Sequence, residues 1–242
     1  MTTLDPDLLL RAYAVGVFPM ADARDAPDIF WVEPKRRGIL PLGSFHLSHS
    51  LAKILKSDRF IVTADTAFGA VMRACAEPKA DRPETWINDM ILDAYEQLFA
   101  RGHAHSIECW HDGVLAGGLY GVTLGAAFFG ESMFTRQTNA SKVAMAWLVA
   151  RLRVGGFKLL DTQFLTPHLA TLGTIEIPRS AYQSLLSEAV AGSADFGALD
   201  SPSEAAAEDS PGLGAEARGA DWTSVSGPIS GKRIAQLLTQ TS

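Results

Sequence analysis

A carboxylate and a hydroxyl directly follow an apolar run in the middle of the 242-residue sequence. The run at residues 127–130 predicts a β-strand that ends at Gly130, so that Glu131 and Ser132 lie in the turn that follows. An apolar helix is predicted to begin at Ala140, with Asn139 as its N-cap. Glu131 is therefore expected at the end of a strand.

A second polar pair lies in the β-prone run at residues 158–164, where Asp161 and Gln163 are two residues apart. If this run is a strand, both side chains leave the same face. A carboxylate and an amide that point together from a buried strand form a candidate site. On the residues alone, a purely structural hydrogen-bonding role is the alternative for this pair.

Several chemistries are excluded by missing motifs. The sequence contains neither GxxxxGK[ST] nor a GxGxxG at a strand-to-helix turn, which argues against NTPases, kinases and dinucleotide enzymes. Ser132 is not set in GxSxG, so a nucleophilic serine has little support. His103, His105, Cys109 and His111 share one face of a predicted strand, but alternate residues about 6.5 Å apart are too widely spaced for one ion. We therefore expect no metal and no cofactor, and a chemistry that depends on positioning.

Composition indicates a globular protein with 47% hydrophobic and 20% charged residues. The formal net charge is −6, but residues 188–221, where Arg218 is the only basic residue, carry −7. The remainder, at +1, is close to neutral, so a nucleic-acid partner stays possible. No apolar run reaches the roughly 18 to 20 residues of a membrane-spanning helix. We expect a cytoplasmic monomer that does not bind membranes, with Cys75 and Cys109 reduced.

The order of the predicted elements gives an α+β fold. We expect a small N-terminal domain at residues 1–44 and a larger domain at residues 45–187, in which three antiparallel strands precede a helix and a further strand. Residues 188–242 are expected to form an acidic, disordered linker that ends in a short amphipathic helix.

Several longer runs resemble one family in the same order over nearly all of residues 8–187. The runs are AYAVGVFPM, TWI followed by HAHSIECW, GGLYGV, FFGESMF, NASK, and LLDTQ with HLATLG. Together they resemble bacterial leucyl/phenylalanyl-tRNA-protein transferase, and several long motifs in one order are far more specific than any short one.

The resemblance implies an N-acetyltransferase-like (GNAT) fold for the larger domain. It also implies transfer of leucine or phenylalanine, and of methionine less well, from aminoacyl-tRNA to proteins that begin with arginine or lysine. Such proteins then become substrates of N-degron proteolysis. The aminoacyl ester is already activated, so the reaction requires neither ATP nor a metal; the incoming amine must be aligned and the tetrahedral intermediate stabilised.

The resemblance also assigns roles to individual residues. Gln163 would accept a hydrogen bond from the incoming amine through its carbonyl, while Asp161 would orient and polarise the amide. Glu131 would recognise the free α-ammonium of the aminoacyl group. Around the aminoacyl and terminal adenosine pocket it would place Trp31, Trp86, Tyr95, Leu119, Met133 and Ser132.

Clustered cations are the other expected feature, because tRNA phosphates require them. The candidates are Lys35, Arg36, Arg37, Arg136, Lys142, Arg151, Arg153 and Lys158. Three positions depart from the family pattern: Leu119 replaces methionine, Thr166 replaces asparagine and Thr162 replaces cysteine. The acidic run from Glu188 has no counterpart in that pattern.

Two alternatives remain. An acyl-CoA N-acyltransferase would share the implied fold, but the [QR]xxGx[GA] run that precedes a helix in such enzymes is absent. A non-catalytic module that binds tRNA or basic N-termini would retain its activity in cells after Asp161→Ala and Gln163→Ala.

Overall fold

The computed structural model describes residues 3–78, 84–201 and 229–240. The strands are β1 (Phe18–Met20), β2 (Phe30–Val32), β3 (Arg36–Ile39), β4 (Ile61–Ala64), β5 (Ala104–His111), β6 (Val114–Leu124), β7 (Ala127–Thr135), β8 (Leu159–Gln163) and β9 (Ile175–Pro178). The helices are α1 (Pro6–Ala14), α2 (His49–Lys56), α3 (Phe68–Cys75), α4 (Asp89–Ala100), α5 (Ala140–Val154), α6 (Pro167–Ala170), α7 (Arg179–Val190) and α8 (Gly231–Thr239). The predicted α+β class is confirmed.

One mixed sheet of seven strands organises the fold, in the order β4-β5-β6-β7-β8-β3-β9. Strands β7 and β8 are parallel, and α5 connects them; the other pairings in this sheet are antiparallel. Helices α1, α3, α4 and α7 contribute to one apolar core, and α2, α5 and α8 to the other. None of the described helices is long and apolar enough to span a membrane.

Local signals for turns and caps are largely confirmed. The Asp112-Gly113 pair forms the β5–β6 hairpin turn, with φ of 51° and 74° at its two residues. The Ser48 and Asn88 side chains cap α2 and α4. Asn139 does precede α5, but it adopts a left-handed backbone with φ of 73° and its side chain makes no capping hydrogen bond.

The small N-terminal part contains α1 and the two-stranded sheet β1–β2. Strand β3 belongs instead to the large sheet, where it lies between β8 and β9. A division after residue 44 would therefore separate β3 from its partner strands.

The disordered acidic linker was predicted to begin too early. Glu188 lies in α7, and the segment that follows packs on the body through Phe196, whose ring stacks on His105 with centroids 4.0 Å apart. Phe196 thus anchors a segment of mostly small and polar residues to the body, and composition alone does not indicate this contact. The rest of the predicted linker, residues 202–228, lies outside the described residues.

The predicted terminal helix is confirmed as α8. Its first backbone N–H, at Gly231, donates to Asp58 Oδ1 over 2.6 Å, and Arg153 donates to the carbonyls of Leu237 and Leu238. Both cysteines are buried and free of disulfides.

Gly121 gives a test of the close packing between β6 and β7. A Cβ at this position would lie 2.3 Å from the Phe129 carbonyl oxygen, whereas a Cβ at Gly43 would meet nothing within 4 Å. We expect Gly121→Ala to lower the free energy of unfolding by about 1–3 kcal/mol in urea titrations, because the clash is with backbone. Gly43→Ala should change it by less than about 0.5 kcal/mol. Equal values for the two variants would contradict this packing.

Candidate active site

Glu131 is positioned by a β-bulge and not by a turn. Strand β7 continues through it to Thr135, and the register with β6 shifts because Tyr120 pairs with Ser132 while Gly121 pairs with Gly130. Glu131 is the extra residue between these two pairs. The predicted end of the strand at Gly130 is thus wrong, and the bulge turns the carboxylate into the protein. On β6 the register shift falls between Tyr120 and Gly121.

A cavity lies where β7 and β8 part. Their pairing ends at Phe129 and Asp161, and beyond that point both strands line a cavity of about 360 Å³. Ligands commonly bind beyond the carboxyl ends of parallel strands, where backbone groups are no longer paired between strands. The cavity lining is mainly apolar: Met20, Trp86, Leu119, Met133, Met145, Leu148, Leu160, Phe164 and Leu169. Glu131 is the only carboxylate among the described residues that line it.

Asp161 is held in a buried ion pair behind the cavity. Arg37 donates through Nε to Oδ1 over 2.9 Å and through Nη2 to Oδ2 over 2.6 Å, and Tyr182 donates its hydroxyl to Oδ2 over 2.7 Å. The Arg37 and Asp161 side chains are 1% and 0% exposed. Burial is the largest single influence and acts to lower the pKa of Arg37. The charge and hydrogen bonds of Asp161, with smaller contributions from Tyr182 and Glu131, together outweigh it and raise the pKa, so the guanidinium stays charged.

Asp161 contacts the backbone of Gln163 and not its side chain. The Gln163 backbone N–H donates to Asp161 Oδ1 over 2.7 Å, and Gln163 has a φ of 60°. A left-handed backbone is uncommon for a residue with a Cβ, so this hydrogen bond helps to hold a strained conformation at the end of β8. The expectation that Asp161 polarises the Gln163 amide is therefore corrected.

Glu131, and not Asp161, accepts the hydrogen bond from the side-chain amide of Gln163. The Gln163 side-chain Nε2 donates to Glu131 Oε1 over 2.9 Å. This contact leaves the Gln163 side-chain carbonyl oxygen free for another partner, and Gln163 lines the cavity.

Two tyrosines complete the surroundings of Glu131. Tyr13 donates to Oε1 over 2.7 Å and Tyr95 donates to Oε2 over 3.1 Å, and the two hydroxyls also contact each other. Burial raises the pKa of Glu131 to about 7, although the hydrogen bonds from Tyr13, Gln163 and Tyr95 oppose the rise. Two carboxylates thus lie in one region with different surroundings: Asp161 has a cationic partner and Glu131 has neutral donors.

Two polar atoms of the cavity wall lack a hydrogen-bond partner among the described residues. They are Thr162 Oγ1 and His168 Nε2, both buried. Burial, with a smaller effect of Lys142, lowers the pKa of His168, so this imidazole is neutral near pH 7. Both atoms are available to hydroxyl or carbonyl groups of a bound molecule.

Most of the predicted pocket residues meet at this cavity. Trp86, Leu119, Met133 and Ser132 line it, together with Glu131 and Gln163. Tyr95 is fully buried behind Glu131. Trp31 is not among the lining residues; it is 40% exposed on β2.

The predicted cations do not form one surface. Arg37 and Arg151 are buried, the first on Asp161 and the second on Asp200, so the expectation that they lie on the surface is wrong. Arg153 is half-buried on backbone carbonyls, including that of Leu42. Exposed acidic partners pair with Arg36, Arg136 and Lys158.

The sequence did not indicate three buried partners of the two carboxylates: Tyr13 for Glu131, and Arg37 and Tyr182 for Asp161. Tyr13 lies in the AYAVGVFPM run and Arg37 in a basic run, but neither run indicates a buried partner more than 100 residues away. The spacing of apolar residues along α1 predicts that Tyr13 lies on the buried face of the helix, but it does not predict which residue Tyr13 contacts.

Two models of one known family match adjoining parts of the chain. The leucyl/phenylalanyl-tRNA protein transferase model matches residues 39–187, and the N-terminal domain model of the same family matches residues 2–35. The chain belongs to the leucyl/phenylalanyl-tRNA protein transferase family. It is therefore an aminoacyltransferase, and only residues 36–38, which belong to β3, separate the two matches.

Relatives named leucyl/phenylalanyl-tRNA–protein transferase are similar over most of the chain. The relative from Rhizorhabdus wittichii is 60% identical over 248 residues, which cover the whole of both chains. That from Zymomonas mobilis is 64% identical over 187 residues, or 77% of this chain and 70% of the relative. That from Paramagnetospirillum magneticum is 61% identical over 196 residues, or 81% and 94%. The match to the Rhizorhabdus wittichii relative extends over the whole chain and so includes the acidic run at residues 188–221, whereas the other two cover about four fifths of the chain.

The two neighbouring arginines of β3 test the buried ion pair. Arg37→Leu should lower the free energy of unfolding by about 3–5 kcal/mol, because it leaves Asp161 buried without a counter-charge. Arg36→Leu removes only an exposed pair with Glu176 and should cost at most about 1 kcal/mol. Urea titrations of both variants measure the difference; similar small losses would show that the Arg37 pair is not a major stabilising contact.

The pKa of Glu131 predicts how stability varies with pH. Between its ordinary value of 4.5 and about 7, the folded protein keeps a proton that the unfolded chain has released, so this group makes the protein less stable as pH rises through that window. Glu131→Gln lacks this titration. The stability of the original protein relative to Glu131→Gln should fall by up to about 1.4 kcal/mol per pH unit and level off above pH 7. Parallel stability curves from pH 5 to 8 would contradict the raised pKa.

Proposed function

We propose that this protein transfers leucine or phenylalanine, and methionine less well, from aminoacyl-tRNA to proteins that begin with arginine or lysine. The products enter N-degron proteolysis, and the reaction takes place in the cytoplasm, where its substrates are found. The observation that carries the proposal is an apolar cavity with one carboxylate and one oriented amide at its wall. Membership of the family supports it.

The aminoacyl side chain binds in the apolar part of the cavity. The wall of this part contains Leu119, Met133 and Met145, whose side chains are flexible or branch beyond Cβ. Such a wall suits apolar side chains that are not branched at Cβ, as in leucine, phenylalanine and methionine. Each methylene of misfit costs roughly 1–3 kcal/mol, which discriminates against smaller side chains. The α-ammonium of the same group lies against Glu131, the only carboxyl group among the described lining residues.

The acceptor amine is aligned by the Gln163 carbonyl oxygen. Because the amide nitrogen of Gln163 donates to Glu131, its oxygen is directed to a different partner, and an amine N–H is a suitable donor. The neutral amine attacks the ester carbonyl, the nitrogen loses a proton as the amide forms, and the 3′-oxygen of the tRNA leaves with a proton. Asp161 contributes indirectly, by holding the backbone of Gln163.

An N-acetyltransferase-like fold is part of the same proposal. Its support is the parallel pair β7 and β8, which part beside the cavity after Phe129 and Asp161. The chain acts as a monomer and requires no metal or cofactor, since the ester supplies the free energy of transfer.

The tRNA phosphates contact exposed cations. Lys35 and Lys142 remain from the predicted set without a side-chain ion pair among the described contacts, and Arg36, Arg136 and Lys158 can exchange exposed acidic partners for phosphates. Surface pairs of this kind contribute little stability, so their exchange costs little.

A transfer assay tests the function. Purified protein is mixed with radiolabelled leucyl-tRNA and either a protein that begins with arginine or the same protein beginning with alanine, without ATP or added metal. We expect RNase-resistant label on the arginine protein alone. Absence of label on both proteins while the leucyl-tRNA survives would contradict the proposal, and binding of CoA would then indicate an acyl-CoA enzyme.

The same assay tests Gln163. Gln163→Ala should lower the transfer rate roughly 100-fold, because the amine loses its alignment. Gln183→Ala, an exposed glutamine of α7, is the matched control and should retain the original rate. Transfer by Gln163→Ala at the control rate would remove Gln163 from the mechanism.

A further inference from the structure

Tyr13, Tyr95 and Glu131 form a closed ring of hydrogen bonds. Tyr13 contacts Tyr95 and Glu131 Oε1, and Tyr95 contacts Glu131 Oε2. All three residues are buried, and they come from three separate elements, α1, α4 and β7. Only Glu131 lines the cavity, so the tyrosines can act on a bound molecule only through it.

The number of hydrogens in this ring depends on the state of Glu131. Each tyrosine hydroxyl carries one hydrogen, so an ionised Glu131 leaves two hydrogens for three contacts. A protonated Glu131 supplies the third hydrogen and completes the ring. The ring can therefore hold Glu131 in either state: as a carboxylate that accepts both hydroxyl hydrogens, or as a neutral acid that fills all three contacts.

Among the residues that the structure describes, no positive charge near Glu131 strongly favours its ionised form. The other charged or titratable groups that face Glu131 are Asp161 on β8, Arg37 on β3 and His168 on α6 across the cavity. Arg37 is committed to Asp161, whose own charge raises the pKa of Glu131, and His168 is neutral. A buried carboxylate without a counter-charge tends to keep its proton.

We propose that Tyr13 and Tyr95 are positioning residues for Glu131, and that the ring holds a proton in the empty site which is released when the α-ammonium of the aminoacyl group binds. The exchange is balanced: the neutral carboxyl group gives its proton to solvent, and the resulting carboxylate pairs with the incoming ammonium. The inference rests on the proposed function, because it takes the aminoacyl group as the ligand. It adds a basis for selectivity, since an acyl group without a free ammonium cannot replace the proton.

The two tyrosines keep this exchange near neutral pH. Their hydroxyls donate to the carboxylate, which opposes the effect of burial on Glu131. Without one of these donors, Glu131 should hold its proton up to a higher pH. Less of the protein would then be able to pair with an ammonium at pH 7.

Calorimetry tests the exchange. The probe is phenylalanine joined by an amide to 3′-amino-3′-deoxyadenosine, and its α-amine is already charged at pH 6. Titrations at pH 6 in buffers of different ionisation enthalpy give the number of protons released. We expect about 0.9 proton per bound probe, because Glu131 titrates near pH 7. The matched probe without the α-amine should bind more weakly and release none.

The outcomes separate the two proposals. Binding of the amine probe without proton release overturns the exchange and leaves the proposed function standing. Failure of the amine probe to bind at any pH from 6 to 8 overturns both.

Tyr13→Phe and Tyr95→Phe test the positioning role through the pH profile. Each should move the midpoint of proton release to higher pH and weaken binding of the amine probe several-fold at pH 7. The loss should be smaller at pH 8, where more Glu131 is ionised and part of the probe still carries its charge. Binding of the probe without the α-amine should be unaffected. An unchanged midpoint in both variants overturns the role of the tyrosines.

Discussion

The parting of β7 and β8 is the constraint on which the site depends. Up to Phe129 and Asp161 the strands are paired, and beyond these residues each strand needs other partners for its polar groups. A bulge in β7 turns Glu131 inward. At the end of β8, Gln163 has a left-handed backbone and its side-chain amide donates to Glu131. The cavity, its carboxylate and its amide therefore all follow from one interruption of the sheet.

Two buried carboxylates beside this interruption have separate roles because their surroundings differ. Asp161 is paired with Arg37 and holds the backbone of Gln163. Glu131 has only hydroxyl and amide donors, so its charge responds to what enters the cavity. The first carboxylate stabilises the architecture, and the second is left available for chemistry.

Features that depend on local signals could be predicted from the sequence. The α+β order of elements, the apolar helix that begins at Ala140 and the short terminal helix follow from neighbouring residues, and several family motifs identify residues of the cavity. The bulge at Glu131 could not be located, because its register depends on which residue of β6 lies opposite. The contacts of Glu131 with Tyr13 and of Asp161 with Arg37 join residues 118 and 124 positions apart, and no local pattern encodes such pairs.

The most direct measurement is a crystal structure with leucine joined by an amide to 3′-amino-3′-deoxyadenosine. We expect the α-ammonium nitrogen to lie within hydrogen-bonding distance of Glu131, with the leucyl side chain among Leu119, Met133 and Met145. The Gln163 amide nitrogen should remain on Glu131 and its carbonyl oxygen should face the site of the incoming amine. An aminoacyl group bound outside this cavity, or an α-ammonium directed away from Glu131, would contradict it.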